Sequence, residues 1–156
     1  MAKKKIRIYV DTSVVGGCFD EEFRADSLRF FDYVRQGKII LLYSTILMAE
    51  LELAPDYVRN YFLSFEETMK ESVPYTPEIE LLAQEYLNAG IVAEQWRDDC
   101  NHVAMATVTR AAAIVSWNFK HIVRFDKMRL YNQVNLQNGY GLLSIVSPRE
   151  VIFDEN

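Results

Sequence analysis

Five positions carry side chains whose type and placement could do chemistry together. Asp11 stands at the tip of the run "IRIYVDTSV", where apolar residues lead straight into a carboxylate and two hydroxyls. Glu50 lies three residues from Leu47 and Leu53 and four from Ile46 and Ala54, so it interrupts the apolar stripe of a helix. Asp98 and Asp99 open the alanine-rich stretch "DDCNHVAMATVTRAAA", where a helix N-terminus favours acids and gives one of the pair a capping role. Asp99 shares a face with Val103 and Ala106 and is read as the inward one, whereas Asp98 shares a face with His102 nearer the edge. Asn118 follows "AIVSW"; it can offer an oxygen to a metal or act as a turn residue with Asx-type hydrogen bonding. Gathered in one place, Asp11, Glu50 and Asp99 would repel one another unless a divalent cation neutralised them. An oxygen site of this kind suits Mg²⁺ or Mn²⁺ rather than zinc. The hydroxyls Thr12 and Ser116 join the candidate set as neighbours of Asp11 and Asn118. Thr12 or Ser13 could hydrogen-bond a phosphate or the first aspartate, or simply start the next helix.

Such residues need elements that bring them together. Four short apolar runs read as strands covered on both faces: "IRIYV", "IILLY", "AAIVSW" and "LLSIV", with "ESVPY" a weaker fifth. Between them lie helical patterns. Asp20 to Gln36 carries one apolar face and ends at Gly37. Ser44 caps "TILMAELELA" before Pro55. Thr76-Pro77 opens "EIELLAQEYLNA", which closes at Gly90. Ser147-Pro148-Arg149-Glu150 has capping-box spacing. Strands alternating with helices predict a single domain over residues 1–156, an α/β/α three-layer sandwich with a mainly parallel sheet of four or five strands. Ligands of such sheets bind beyond the carboxyl ends of the strands, where Asp11 falls.

The chain has 156 residues, half of them apolar, and a net charge of −5. That balance argues against a broad basic surface for nucleic acid, although acidic metal ligands add negative charge that a bound cation returns. The densest basic cluster after the N-terminus is Lys120, Arg124, Lys127 and Arg129, beside Asn118. It reads either as a grip on a phosphate backbone, with His121, or as a solvated face. Cys18 and Cys100 show neither zinc-ligand spacing nor a disulfide framework. No apolar run is long enough to cross a membrane, and the start "MAKKKIRIYVD" does not read as a signal peptide. A cytoplasmic protein is expected. His102 and Trp117 are read as packed residues.

The strings "YVDTSV", "STILMAEL", "DDCNHVAMATV" and "IVSWNFKHI", in that order, resemble the motif set of PIN-domain nucleases, over Ile6 to Val151. The nearest branch is the VapC-like toxins of type II toxin–antitoxin pairs. The resemblance implies a Mg²⁺- or Mn²⁺-dependent ribonuclease, with Asp11, Glu50 and Asp99 as metal-binding catalytic residues and Asn118 where many members carry a fourth aspartate. "NFKHI" departs from the commoner acidic ending, with His121 in place of a carboxylate. The resemblance also implies a homodimer and an antitoxin partner, for which the aromatic-rich segment from Tyr57 to Phe65 is the expected surface. Two other classes remain. One is a PIN-fold binding module with little or no nuclease activity. The other is a haloacid-dehalogenase-like phosphohydrolase, which needs a second aspartate where Ser13 stands.

Overall fold

The computed structural model describes residues 4–154; residues 1–3 of the basic start and residues 155–156 lie outside it. Five strands form one sheet: β1 Ile6–Val10, β2 Ile39–Ser44, β3 Lys70–Val73, β4 Ala113–Val115 and β5 Ser144–Val146. All neighbours run parallel, in the order β3-β2-β1-β4-β5. Among the described residues seven α-helices accompany them: α1 Thr12–Gly17, α2 Arg24–Arg35, α3 Thr45–Glu52, α4 Asp56–Leu63, α5 Pro77–Asn88, α6 Arg97–Val108 and α7 Phe125–Gln137.

The period-2 alternation of a strand divides the core in two. From β1, Ile8 and Val10 pack with residues of α1 to α4, including Phe30, Phe31, Leu47 and Phe62. Tyr9 points the other way, into a cluster with Ile79, Leu82, Val103 and Tyr131 from α5, α6 and α7. The result is the three-layer α/β/α sandwich expected from the alternating pattern, with an all-parallel five-strand sheet.

Local signals set most of the boundaries. The Ser44 hydroxyl accepts from the Leu47 N–H at 3.3 Å and starts α3. The Thr76 hydroxyl does the same for Ile79 at 3.3 Å, with Pro77 in the first turn of α5. Helix α2 begins at Arg24 rather than Asp20, because the Asp20 carboxylate accepts from the Glu22 N–H at 2.9 Å and holds a turn there. Helix α6 stops at Val108 instead of running through the alanines. Arg110 turns into left-handed backbone at φ 60°, and Arg7 Nη1 donates to the freed Thr109 carbonyl at 2.9 Å.

Two helices lie where no helix was read. The Tyr57–Phe65 segment contains most of α4, which buries Val58 and Phe62. Helix α7 turns polar Asn135 inward with Tyr131 and Val134, so no clean apolar stripe marks it. Its Asn132 side chain exchanges two hydrogen bonds with the Leu143 backbone, at 3.0 and 2.7 Å, and ties α7 to the approach of β5.

Candidate functional site

The sheet order reverses at β1. From there the chain moves outward through β2 and β3, then returns to the other side of β1 as β4. The crevice beyond β1 and β4 is therefore the switch point at which parallel α/β sheets bind ligands. Asp11 follows β1 and Ser116 follows β4, and the two meet across that crevice. Ser116 Oγ donates to Asp11 Oδ2 at 2.6 Å, and Ser13 Oγ donates to Oδ1 at 2.6 Å. Both hydroxyls are themselves fixed by backbone: Trp117 N–H donates to Ser13 Oγ at 2.8 Å and Asn118 N–H to Ser116 Oγ at 2.9 Å. Asp11 is only 5% exposed. Burial pushes its carboxyl above the usual range; the field of His102 and the two serines pull it back, while the charge of Asp99 pushes it further up. Asp11 has no arginine or lysine partner among the described residues.

Glu50 lies on α3, half-exposed, and reaches across to α6. Its Oε1 is 3.0 Å from His102 Nε2. His102 is buried, and its Nδ1 is 2.6 Å from the Tyr9 hydroxyl. Tyr9 in turn donates to Ser44 Oγ at 2.9 Å, the same oxygen that caps α3. Burial opposes a charge on His102. The hydrogen bond to Glu50 and the fields of Asp11, Glu50 and Asp99 together outweigh it, so the imidazole titrates above its ordinary 6.5. In the charged form both ring nitrogens donate, one to Glu50 and the other to Tyr9.

Asp98 and Asp99 both fall in the first turn of α6. The cap position is Trp96, so neither acid caps the helix by a side-chain hydrogen bond. Asp99 is the more buried of the two, as expected, and its Oδ2 is 2.9 Å from His121 Nδ1. Asp98 is exposed, 3.5 Å from Asn101 Nδ2. Asn118 takes up its turn role: its Oδ1 accepts from the His121 N–H at 2.9 Å, fixing the loop that presents His121 to Asp99.

The basic cluster divides on inspection of its partners. Arg124 is neutralised by Asp126 at 2.8 Å. Lys127 donates to the Ile91 carbonyl. Lys120 has no carboxylate partner among the described residues, and its Nζ lies 5.3 Å from the centroid of the Trp96 ring.

Among the described residues, no group of three or more histidine, cysteine, aspartate or glutamate side chains is placed to hold a metal ion. Asp11 and Asp99 feel one another, while Glu50 is engaged by His102. Two features nevertheless fit a hard cation. Mg²⁺ is commonly held by one or two carboxylates, with waters and substrate phosphates completing its shell, rather than by an all-protein cage. In addition, Thr12 Oγ1, next to Asp11, is buried without a hydrogen-bond partner. The cysteines are not part of this chemistry, since burial pushes both thiols up to about 12.

Two parts of this arrangement were not assigned from sequence. His102 is packed, as its place in an alanine-rich helix suggests, but its position between Glu50 and Tyr9 follows from α6 lying near α3 and β1. The cue available in the sequence was its four-residue spacing from Asp98 and from Ala106, which sets it on the helix face next to Asp99's. Trp96 was not singled out because an aromatic before a helix start carries no positional signal of its own.

No family model matches the chain, and no curated protein does. No described helix is long and apolar enough to cross a membrane.

Proposed function

We propose that the chain is a divalent-cation-dependent ribonuclease of the PIN type that hydrolyses RNA phosphodiester bonds. The observation that carries this reading is Asp11: a buried carboxylate at the switch point, held by two serines, in the field of a second carboxylate, with no arginine or lysine partner among the described residues and only the field of His102 to offset its burial. Asp11 and Asp99 are the residues that would hold Mg²⁺ or Mn²⁺, with Glu50 joining if it leaves His102. When bound, the cation supplies a polarising charge on the phosphate and a water of lowered pKa.

The protein's own groups do the rest. Ser13 and Ser116 orient both oxygens of Asp11 and keep them from rotating. Thr12 Oγ1, next to Asp11, is buried with no hydrogen-bond partner among the described residues, so a ligand seated at Asp11 would have an unpaired hydroxyl beside it only if that oxygen is uncovered. Lys120, with no carboxylate partner among the described residues, brings a positive charge for a polyanion to the same neighbourhood. His121 Nδ1, 2.9 Å from Asp99 Oδ2, holds that carboxylate in place. A cytoplasmic toxin that pairs with an antitoxin and forms a homodimer belongs to the same proposal and rests on the motif resemblance.

The test is cleavage of single-stranded RNA with Mg²⁺ or Mn²⁺ present, against Asp11→Asn and Asp99→Asn. Cleavage that survives both substitutions would sink the reading. A second reading, a binding module of the same fold without nuclease activity, is favoured by the histidines that already engage Glu50 and Asp99. RNA retention without cleavage at any Mn²⁺ concentration would decide for it.

A further inference from the structure

Trp96 ends a single 3₁₀ turn, Glu94–Trp96, and serves as the residue that opens α6. Its backbone N–H donates to the Ala93 carbonyl at 2.9 Å. The turn is clamped from the side: Arg97 donates to Glu94 Oε1 at 2.7 and 3.0 Å and to Gln84 Oε1 of α5 at 2.6 Å. The indole is therefore carried on a braced segment, yet it remains 40% exposed. Trp117, the other tryptophan, is 6% exposed, and its indole N–H donates to Ser27.

The surroundings of Trp96 are specific. Its ring centroid lies 4.7 Å from that of His121 at 37°, and His121 Nδ1 is 2.9 Å from Asp99. The Lys120 ammonium sits 5.3 Å from the same ring. An exposed aromatic surface, a cation without a carboxylate partner among the described residues and a candidate catalytic carboxylate are thus connected through one buried imidazole. Contact with His121 covers part of the indole, yet two-fifths of the residue stays open to water with a lysine ammonium over the ring. A nucleotide brings a flat apolar face for the first and a phosphate for the second.

We propose that Trp96 is a substrate-positioning residue on which one unpaired base of an RNA strand stacks, with the adjoining phosphate at Lys120. This rests on the reading that RNA lies along the carboxyl edge of the sheet. Stacking on an aromatic tolerates any base, so Trp96 fixes the register of the strand relative to Asp99 rather than its sequence. A duplex could not use it, because its bases are already stacked.

The experiment uses the full chain in EDTA, so that binding is read without cleavage. A single-stranded RNA of about eight nucleotides, within the span such stacking sites cover, is titrated while tryptophan fluorescence is followed. Trp117, buried and the one other tryptophan of the sequence, supplies a background that Trp96→Ala, which retains it, records on its own. Quenching is expected in the parent protein and absent in Trp96→Ala, with affinity weaker by roughly 5- to 100-fold. Trp96→Phe restores most of the affinity. An abasic nucleotide walked along the strand weakens binding at one position in the parent protein, and that penalty disappears in Trp96→Ala; a merely structural role would leave the walk unchanged. Equal affinity of the parent protein and Trp96→Ala, or an abasic profile the same in both, overturns the proposal. Stacking without Mn²⁺-dependent cleavage keeps it and removes the nuclease reading; cleavage with no involvement of Trp96 does the reverse, and failure of RNA to bind removes both.

Discussion

Carboxylates at the two ends of the sheet are treated in opposite ways. Toward the amino end, Glu71 of β3 takes two hydrogen bonds from the Arg7 guanidinium, at 3.1 and 2.5 Å. That partner holds its carboxyl below the usual range, and the same arginine caps the end of α6. At the carboxyl end, Asp11 is buried among serines and pushed up instead. One carboxylate has a fixed opposite charge and completes a structural joint. The other is hydrogen-bonded by neutral hydroxyls and has no arginine or lysine partner among the described residues; the field of His102 offsets its burial only in part. An acid whose charge the fold leaves uncancelled is one that a ligand can still use.

The contrast is broken most directly by activity. Asp11→Asn and Asp99→Asn should each lower metal-dependent RNA cleavage by about 100-fold or more, the scale of losing one charged group from a polar transition state. Glu71→Gln should leave the rate unchanged. Comparable losses in all three variants would erase the functional distinction between the ends.

The next largest effect concerns the support of the crevice. A Cβ on Gly17 would come within 2.5 Å of Ser27 Oγ and 2.7 Å of Trp117 Nε1. Gly17→Ala should therefore cost about 1–3 kcal/mol of stability by overpacking, measured by denaturant unfolding. An unchanged midpoint would show that the loop after β4 is not held through this contact.

Burial of Asp11 also predicts a gain. Its folded carboxyl titrates above the unfolded value, so its contribution to stability is complete below the unfolded pKa and falls as pH rises toward the folded one. Asp11→Asn should then raise metal-free stability at pH 7 by about 1 kcal/mol, as seen when a functional strain is removed. A lower melting temperature would show that the two serines fully compensate the buried charge.

The smallest effects sharpen the difference. Glu71→Gln should cost about 1 kcal/mol or less, since its ion pair with Arg7 is well exposed to solvent. His102 titrates above its ordinary 6.5 in the fold. Its contribution to stability is thus complete below about pH 6.5 and fades as pH rises through the raised value. Melting temperatures of the metal-free protein followed from pH 6 upward should show that decline in the parent chain and a flatter profile in His102→Gln. Parallel profiles would mean that Glu50 does not hold the imidazole.

The amino-acid sequence determined the elements. Apolar strand runs, the caps at Ser44 and Thr76 and the breaks at Gly37, Pro55 and Gly90 are local signals, and they were enough for a parallel three-layer α/β fold with Asp11 at a strand end. They also placed Asp99 inward and Asp98 nearer the edge. Asp98 is exposed at the helix start, while His102 on the same face one turn on is buried, so spacing and position along the helix decide together. Where local signals were mixed the reading failed: α7 buries an asparagine, and the first turn assigned to α2 belongs to an Asx turn at Asp20. What only the tertiary structure decided is who meets whom. The pairing of Asp11 with Ser116, Glu50 with His102 and Asp99 with His121 joins residues 105, 52 and 22 positions apart. Those partnerships depend on strand order and helix packing, which are collective properties of the buried core, and no periodicity along the chain encodes them.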